Sequence, residues 1–205
     1  MSKSASLIVI AAPSGAGKTT LANALVERNP ALRFSISYTT RKKRETEVDG
    51  RDYFFVPVDE FTTLRANGEL LESALVFDNH YGTSRSQVEQ HMANGHHVVL
   101  EIDWQGAQQV RESMPGCVSV FVLPPSRTEL EQRLRGRQTD TQEVIARRLQ
   151  DALGDMSHWD EFDYAIINDQ LELAVTELEA IIAGNGQDNL VSSPELRQRV
   201  ENILV

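Results

Sequence analysis

The segment Ala12-Pro13-Ser14-Gly15-Ala16-Gly17-Lys18-Thr19 has the residue types and spacing of a phosphate site. It matches G-x-x-x-x-G-K-[ST] except for alanine at the first position, which a backbone of negative φ accepts. Its glycines let successive backbone N–H groups converge on phosphate oxygens, a following helix N-terminus adds partial positive charge, and Lys18 reaches the outer phosphates. Thr19 offers a hydroxyl to Mg²⁺, and Thr20 continues the segment into the helix. A chance glycine turn is the competing reading, and the intact Gly-Lys-Thr between a strand and a helix argues against it. Binding of a nucleoside triphosphate is the strongest single inference.

A second group of cations stands in Ser37-Tyr38-Thr39-Thr40-Arg41-Lys42-Lys43-Arg44, a segment without helical or strand periodicity. Arginine forks suit bidentate recognition of phosphate. Alone, such a run reads as solvated surface; beside a phosphate loop it reads as a second anion site. A third group is Arg133, Arg135, Arg137, Arg147 and Arg148. Arg133 and Arg137 are four apart and stack on one helix face, with Arg148 arriving from the next helix. Asp103 ends the apolar run Val98 to Ile102 and shares a face with Glu101 by the strand period of two. A carboxylate there either approaches Mg²⁺, directly or through water, or caps the next helix.

These groups need a frame. Leu7 to Ala11, His97 to Ile102, Ser119 to Leu123 and Tyr164 to Asn168 are short apolar runs, as expected of strands buried on both faces of a parallel sheet. Helices are expected from Thr19 to Asn29, from Ser84 to about Gly95, from Ser126 through Arg135, from Gln142 to Met156 and from Leu171 to Ala183. Ser84 with Gln87 and Ser126 with Glu129 form capping boxes. The alternation predicts a doubly wound α/β sheet with helices on both faces, whose ligands sit at strand C-terminal ends. Ser35 to about Thr83 departs from it: strands at Tyr53 to Val56 and Leu70 to Phe77, with a helix from Asp59 to Asn67, read as an inserted α+β lobe. Gly184 to Ser193 reads as a linker to a short terminal helix.

With 205 residues, 40% hydrophobic and 24% charged, the chain is long and apolar enough for one globular domain, which excludes disorder as its main state. Its formal charge of -10 opposes general binding to nucleic acid or anionic membranes, so an anionic substrate needs local cations. No apolar run approaches a membrane span, and Met1-Ser2-Lys3-Ser4 leads straight into a strand, which suggests a cytoplasmic protein. Cys117 reads as a small buried residue, and His80, His91, His96, His97 and His158 lack metal-ligand spacing.

The phosphate loop, Ser37 to Arg44, Gly50-Arg51-Asp52-Tyr53-Phe54-Phe55, Tyr81-Gly82-Thr83-Ser84, Glu101-Ile102-Asp103-Trp104-Gln105-Gly106 and Ile167-Asn168-Asp169 together resemble the guanylate kinase family, in order, over residues 7–183. That resemblance implies a Mg²⁺-dependent nucleoside monophosphate kinase in purine nucleotide metabolism, carrying phosphoryl from ATP to GMP and also to dGMP. It implies a P-loop core (1–34, 84–125 and 158–205), a GMP-binding lobe (35–83) and a helical lid (126–157), within one domain of about 5–185. Arg41, Arg44, Tyr53 and Tyr81 would hold the GMP phosphate, while Ser37, Glu72 and Thr83 would read guanine. Glu101 and Asp103 would lie near GMP and the metal. Ala12 to Thr20, Arg133, Arg137 and Asn168 would serve ATP; Lys18, Arg41, Arg133, Arg137 and Arg148 would act on the transferring group.

The chemistry agrees with the resemblance. Guanine offers donors at N1 and N2 that one carboxylate accepts together, whereas adenine presents an acceptor at N1. Apart from the resemblance, Glu72 would read as a strand carboxylate facing water. Besides Ala12, the sequence departs from the family pattern at Gln138, where glycine is expected in the lid. The residues alone leave two alternatives: another small-molecule P-loop kinase, and a related binding module without chemistry. A homo-oligomer also remains open.

Overall fold

The computed structural model describes residues 5–76, 78–136 and 142–204. In chain order it contains β1 (Leu7–Ala11), α1 (Lys18–Arg28), β2 (Leu32–Phe34), β3 (Ser37–Thr39), β4 (Phe54–Phe55), α2 (Val58–Ala66), β5 (Leu70–Val76) and β6 (Asn79–Ser84). There follow α3 (Arg85–Ala93), β7 (His97–Ile102), α4 (Trp104–Ser113), β8 (Val118–Leu123), α5 (Arg127–Arg135), α6 (Gln142–Met156), β9 (Tyr164–Ile167), α7 (Leu171–Ala183) and α8 (Pro194–Leu204). Two compact units are formed, one of residues 1–9 and 30–117, the other of residues 10–29 and 118–205.

The larger sheet has the strand order β2-β7-β1-β8-β9, and the boundary of the units falls within β1. In the first unit β2 runs parallel to β7, with Leu32 opposite His97 and Phe34 opposite Val99. In the second, β8 runs parallel to β9, with Val120 opposite Tyr164 and Leu123 opposite Ile167. All five residues of β1 are buried, as are Ser119 to Leu123 of β8, which is why their sequences are continuous apolar runs. α7 buries Ala174, Val175, Leu178 and Ile181 at helical spacing and stops at Gly184, whose φ of 86° is left-handed. The α/β class read from the alternation is the one observed.

The first unit carries a second sheet of order β4-β3-β6-β5. β3 pairs antiparallel with β6, Ser37 opposite Thr83, and β5 pairs antiparallel with β6, Glu72 opposite Thr83. A register shift between Leu70 and Glu72 marks a bulge on β5, a device that re-aims side chains.

Several expectations need correction. Ser37–Thr39 is a strand despite its lack of periodicity, because three residues are too few to show alternation. β2 and β6 are strands not foreseen; β6, Asn79-His80-Tyr81-Gly82-Thr83-Ser84, is polar and held by pairing on both sides. The strand expected at Tyr53 to Val56 contracts to two residues, and Phe77, expected in β5, lies outside the described residues. Each capping box is half formed: Ser84 and Ser126 accept from the amides of Gln87 and Glu129. The returning side chains bond elsewhere, Gln87 Oε1 to the Ile36 amide and Glu129 Oε1 to Arg133 Nε.

α5 runs from Arg127 to Arg135; Arg137, expected on one face with Arg133, and Gln138 lie outside the described residues. Residues 184–193 are not a loose linker, since Asn189 is buried and its Nδ2 donates to the Ala165 carbonyl at 3.3 Å and to Glu177 at 3.1 Å. Cys117 is half-buried, in a turn whose amide bonds the Met114 carbonyl. Among the described residues no helix is long and apolar enough to cross a membrane.

Candidate active site

In the second unit, the loop from Ala12 opens directly into α1. Gly15 and Gly17 have φ of 94° and 89°, the region glycine enters without strain. Space demands them as well: a Cβ on Gly17 would lie 2.6 Å from Asn168 Nδ2, and one on Gly15 3.0 Å from Leu130 and Leu134. Ala12 is tolerated because its φ is not positive; among the described residues Asp78 is the only non-glycine with positive φ. Gly17 caps α1 without a side-chain bond, and the first turn holds no acid. A helix start of this kind suits an anion, through its N-terminal N–H groups and the positive end of its dipole. Lys18 is half-buried there, and Thr19 and Thr20 are exposed.

Two side chains hold this loop from behind. Asn168, buried at the end of β9, donates from Nδ2 to the Ala16 carbonyl at 2.8 Å. Arg133 donates from Nη1 to the same carbonyl at 3.4 Å and from Nη2 to the Asn168 carbonyl at 3.1 Å. Glu129 fixes Arg133 from one turn earlier, accepting from Nε at 2.9 Å. The resemblance implies that Arg133 lies in the lid and that both residues serve ATP; the bonds observed here are to the loop and to each other. Arg148 is half-buried on α6, whereas Arg135 pairs with Glu131 and Arg147 with Asp151 at the surface.

In the first unit, Ser37, Thr83 and Glu72 occupy paired positions on three neighbouring strands. Thr83 is fully buried, and its hydroxyl donates to Glu72 Oε1 at 2.7 Å. Glu72 is only 4% exposed, so it is not a strand carboxylate facing water. Asp103 caps α4, accepting the Gly106 amide at 2.8 Å, as its place at the end of β7 allowed.

Arg41 lies against the rings of Tyr53 and Phe55, its guanidinium carbon 5.4 Å and 5.7 Å from their centroids. Tyr81 stands edge-on to Tyr53 with centroids 5.9 Å apart. Burial, followed by the Glu101 carboxylate, pushes the Tyr53 hydroxyl up to about 12, so it remains a donor at neutral pH. Glu47 was missed by sequence reading. It receives both Arg41 terminal nitrogens, at 2.6 Å and 3.1 Å, and the Arg44 amide at 2.7 Å. That pairing raises Arg41 above the usual guanidinium value and lowers Glu47 below the usual carboxylate range. The one signal in sequence was an acid three residues after Arg44, but no regular element fixes its direction there. Arg44 itself keeps a mostly exposed side chain.

A phosphate loop ahead of a helix, on a parallel α/β sheet, with a separate site rich in arginine and tyrosine, defines a P-loop kinase of small anionic acceptors. The family model described as guanylate kinase matches residues 4–185. The chain is 52% identical to the guanylate kinase of Methylococcus capsulatus over 198 residues, covering 97% of each, and 51% identical to that of Escherichia coli O157:H7 over 178, covering 86% of each. The guanylate kinase structure from Anaplasma phagocytophilum superposes with a TM-score of 0.74 at 33% identity, over 98% of this chain and 96% of that one. The chain belongs to the guanylate kinase family. It is accordingly a nucleoside monophosphate kinase that transfers phosphoryl from ATP to GMP, which sets aside the other acceptor and the module without chemistry.

Proposed function

We propose that the two units divide this transfer between them, the second holding ATP and the first holding GMP. Lys18 and the backbone N–H groups of residues 14–20 bind the ATP phosphates, with Ala12 and Pro13 opening the loop and Arg133 and Asn168 keeping it in shape. Arg41, Arg44, Tyr53 and Tyr81 bind the GMP phosphate, and Ser37, Thr83 and Glu72 read guanine, with Glu101 and Asp103 beside them. The observation that carries this reading is the row of Ser37, Thr83 and Glu72 on neighbouring strands, with Thr83 and Glu72 buried and hydrogen-bonded: a carboxylate with a hydroxyl partner suits the N1 and N2 donors of guanine and opposes adenine. Recognition by Ser37, Thr83 and Glu72 in this reading uses atoms of the base, which GMP and dGMP share, so dGMP is expected as an acceptor too.

Mg²⁺ is the expected companion of ATP, and the oxygens of Thr19 and, through water, Asp103 suit a hard cation that keeps water and phosphate ligands. When bound it neutralises charge on the phosphates. The chain supplies the rest: Lys18, Arg41, Arg133, Arg137 and Arg148 stabilise charge that spreads over the transferring group, and no covalent enzyme intermediate is needed. Residues 35–83 form the acceptor lobe and 126–157 a lid that excludes water. The acidic chain works in the cytoplasm without nucleic-acid or membrane partners.

The test is ADP formation from ATP and Mg²⁺ with GMP, dGMP, AMP, UMP, CMP and dTMP offered singly, with the Lys18→Ala protein as blank. Turnover confined to GMP and dGMP is expected. Efficient use of AMP or a pyrimidine would discard the roles of Ser37, Glu72 and Thr83.

A further inference from the structure

Gly106 is the third residue of α4 and is buried. Its φ is not positive, so the backbone does not demand glycine there. Helix propensity favours alanine at such a position. The space does demand glycine. A Cβ built on Gly106 would lie 2.5 Å from Glu72 Oε2 and 3.1 Å from its carboxyl carbon, with Asp103 Oδ1 at 3.2 Å. The volume a side chain would fill is the volume the Glu72 carboxylate occupies.

One turn further along α4, Gln109 fixes the strand next to that carboxylate. Its Oε1 accepts the Ser73 amide at 3.0 Å and its Nε2 donates to the Ser73 carbonyl at 2.9 Å. β5 is the edge of its sheet, so Gln109 satisfies the outward backbone groups of Ser73 as a neighbouring strand would. Thr83 holds the carboxylate from the β6 side. Glu72 is thereby bounded by Thr83 on one side and the first turns of α4 on the other.

We propose that Gly106 and Gln109 are positioning residues for acceptor specificity, Gly106 by leaving room for the Glu72 carboxylate and Gln109 by fixing the backbone that carries it. This rests on the reading of Glu72 as the guanine-recognising group. A methyl at residue 106 meets the far end of a long side chain, which yields more readily than helix backbone. The carboxylate then leaves the position from which it accepts two guanine donors. Hypoxanthine lacks the N2 donor, so IMP measures what a correctly placed carboxylate adds for GMP.

The experiment compares wild type, Gly106→Ala, Gln109→Ala, Glu72→Gln and the Gly106→Ala/Glu72→Gln double variant, with KM for GMP, IMP and ATP measured separately. Gly106→Ala should raise KM for GMP about ten- to a hundredfold, the scale of one hydrogen bond to a charged group, and shrink the GMP-over-IMP preference. KM for ATP should change less than about twofold, within the scatter of distant sites. In the Glu72→Gln background Gly106→Ala should add little, because it acts through a group already disabled. Gln109→Ala, which introduces no overlap, should show the same split more weakly and covers the case in which Gly106→Ala fails to fold.

Additive effects of Gly106→Ala and Glu72→Gln, or equal losses for GMP and ATP, would overturn the proposal while leaving the role of Glu72 standing. If Glu72→Gln itself leaves GMP use unchanged, the guanine reading fails, and this proposal with it.

Discussion

The proposed ATP site is made largely of backbone, whereas the proposed GMP site is made of side chains. In the loop of residues 12–19 an anion would meet N–H groups whose direction follows from two left-handed glycines and a helix start, and Lys18 is the single charged side chain of that segment. In the acceptor unit Ser37, Glu72 and Thr83 come from three strands, and Arg41 is set by Glu47, Tyr53 and Phe55. A backbone site recognises what every nucleoside triphosphate shares. A side-chain site can separate one base from another, because each donor and acceptor is chosen individually.

The sharpest way to break this division is to remove the one charged side chain of the loop. Lys18→Ala should lower turnover by about a hundredfold or more, the scale of losing a donor to developing charge. Steady-state ADP formation measures it, and near-normal turnover would remove Lys18 from the mechanism. Next in size is Glu72→Gln, which replaces an acceptor by a donor at one corner. KM for GMP should rise about ten- to a hundredfold with KM for ATP nearly unchanged. Equal losses for both nucleotides would mean that the two sites are not separable in this way.

The same division explains what the sequence disclosed. A backbone site must be contiguous, so Gly15, Gly17, Lys18 and Thr19 are legible as a motif, and β1, β7, β8 and α7 are legible from apolar runs and helical spacing. The acceptor site depends on register. Nothing in local pattern pairs Ser37 with Thr83 or Thr83 with Glu72, β3 is only three residues long and β6 is polar, so those residues were reached through family resemblance alone. Glu47 illustrates the limit: it carries no motif of its own, and its place against Arg41 follows from an irregular turn. Asn189 erred the other way, polar composition suggesting a linker where two hydrogen bonds bury the side chain.

A smaller effect tests how the loop is supported. Asn168→Ala should remove the shorter of the two bonds to the Ala16 carbonyl, leaving that from Arg133, and cost about 0.5 to 1.5 kcal/mol, the net range for one hydrogen bond, read from urea unfolding. KM for ATP should rise while KM for GMP holds. An unchanged KM for ATP would make Asn168 structural only.

The smallest expected effect concerns Glu47 and is read against pH. Its carboxyl is lowered from 4.5, first by the bond to Arg41, so the folded state binds this proton less readily than the unfolded chain. The resulting stabilisation is fully present above about the unfolded value and is lost as pH falls through the lowered native value. Arg41, raised by the same bond, stays protonated throughout and adds no slope. The difference in unfolding free energy between wild type and Glu47→Gln should therefore be constant from pH 6 to 8 on the scale of about 0.5 kcal/mol scatter, and should shrink below about pH 4. Urea titrations at several pH values measure it. A difference that grows toward acid would mean that Glu47 is protonated more easily in the folded chain, and that Arg41 is oriented by its aromatic neighbours and not by its carboxylate partner.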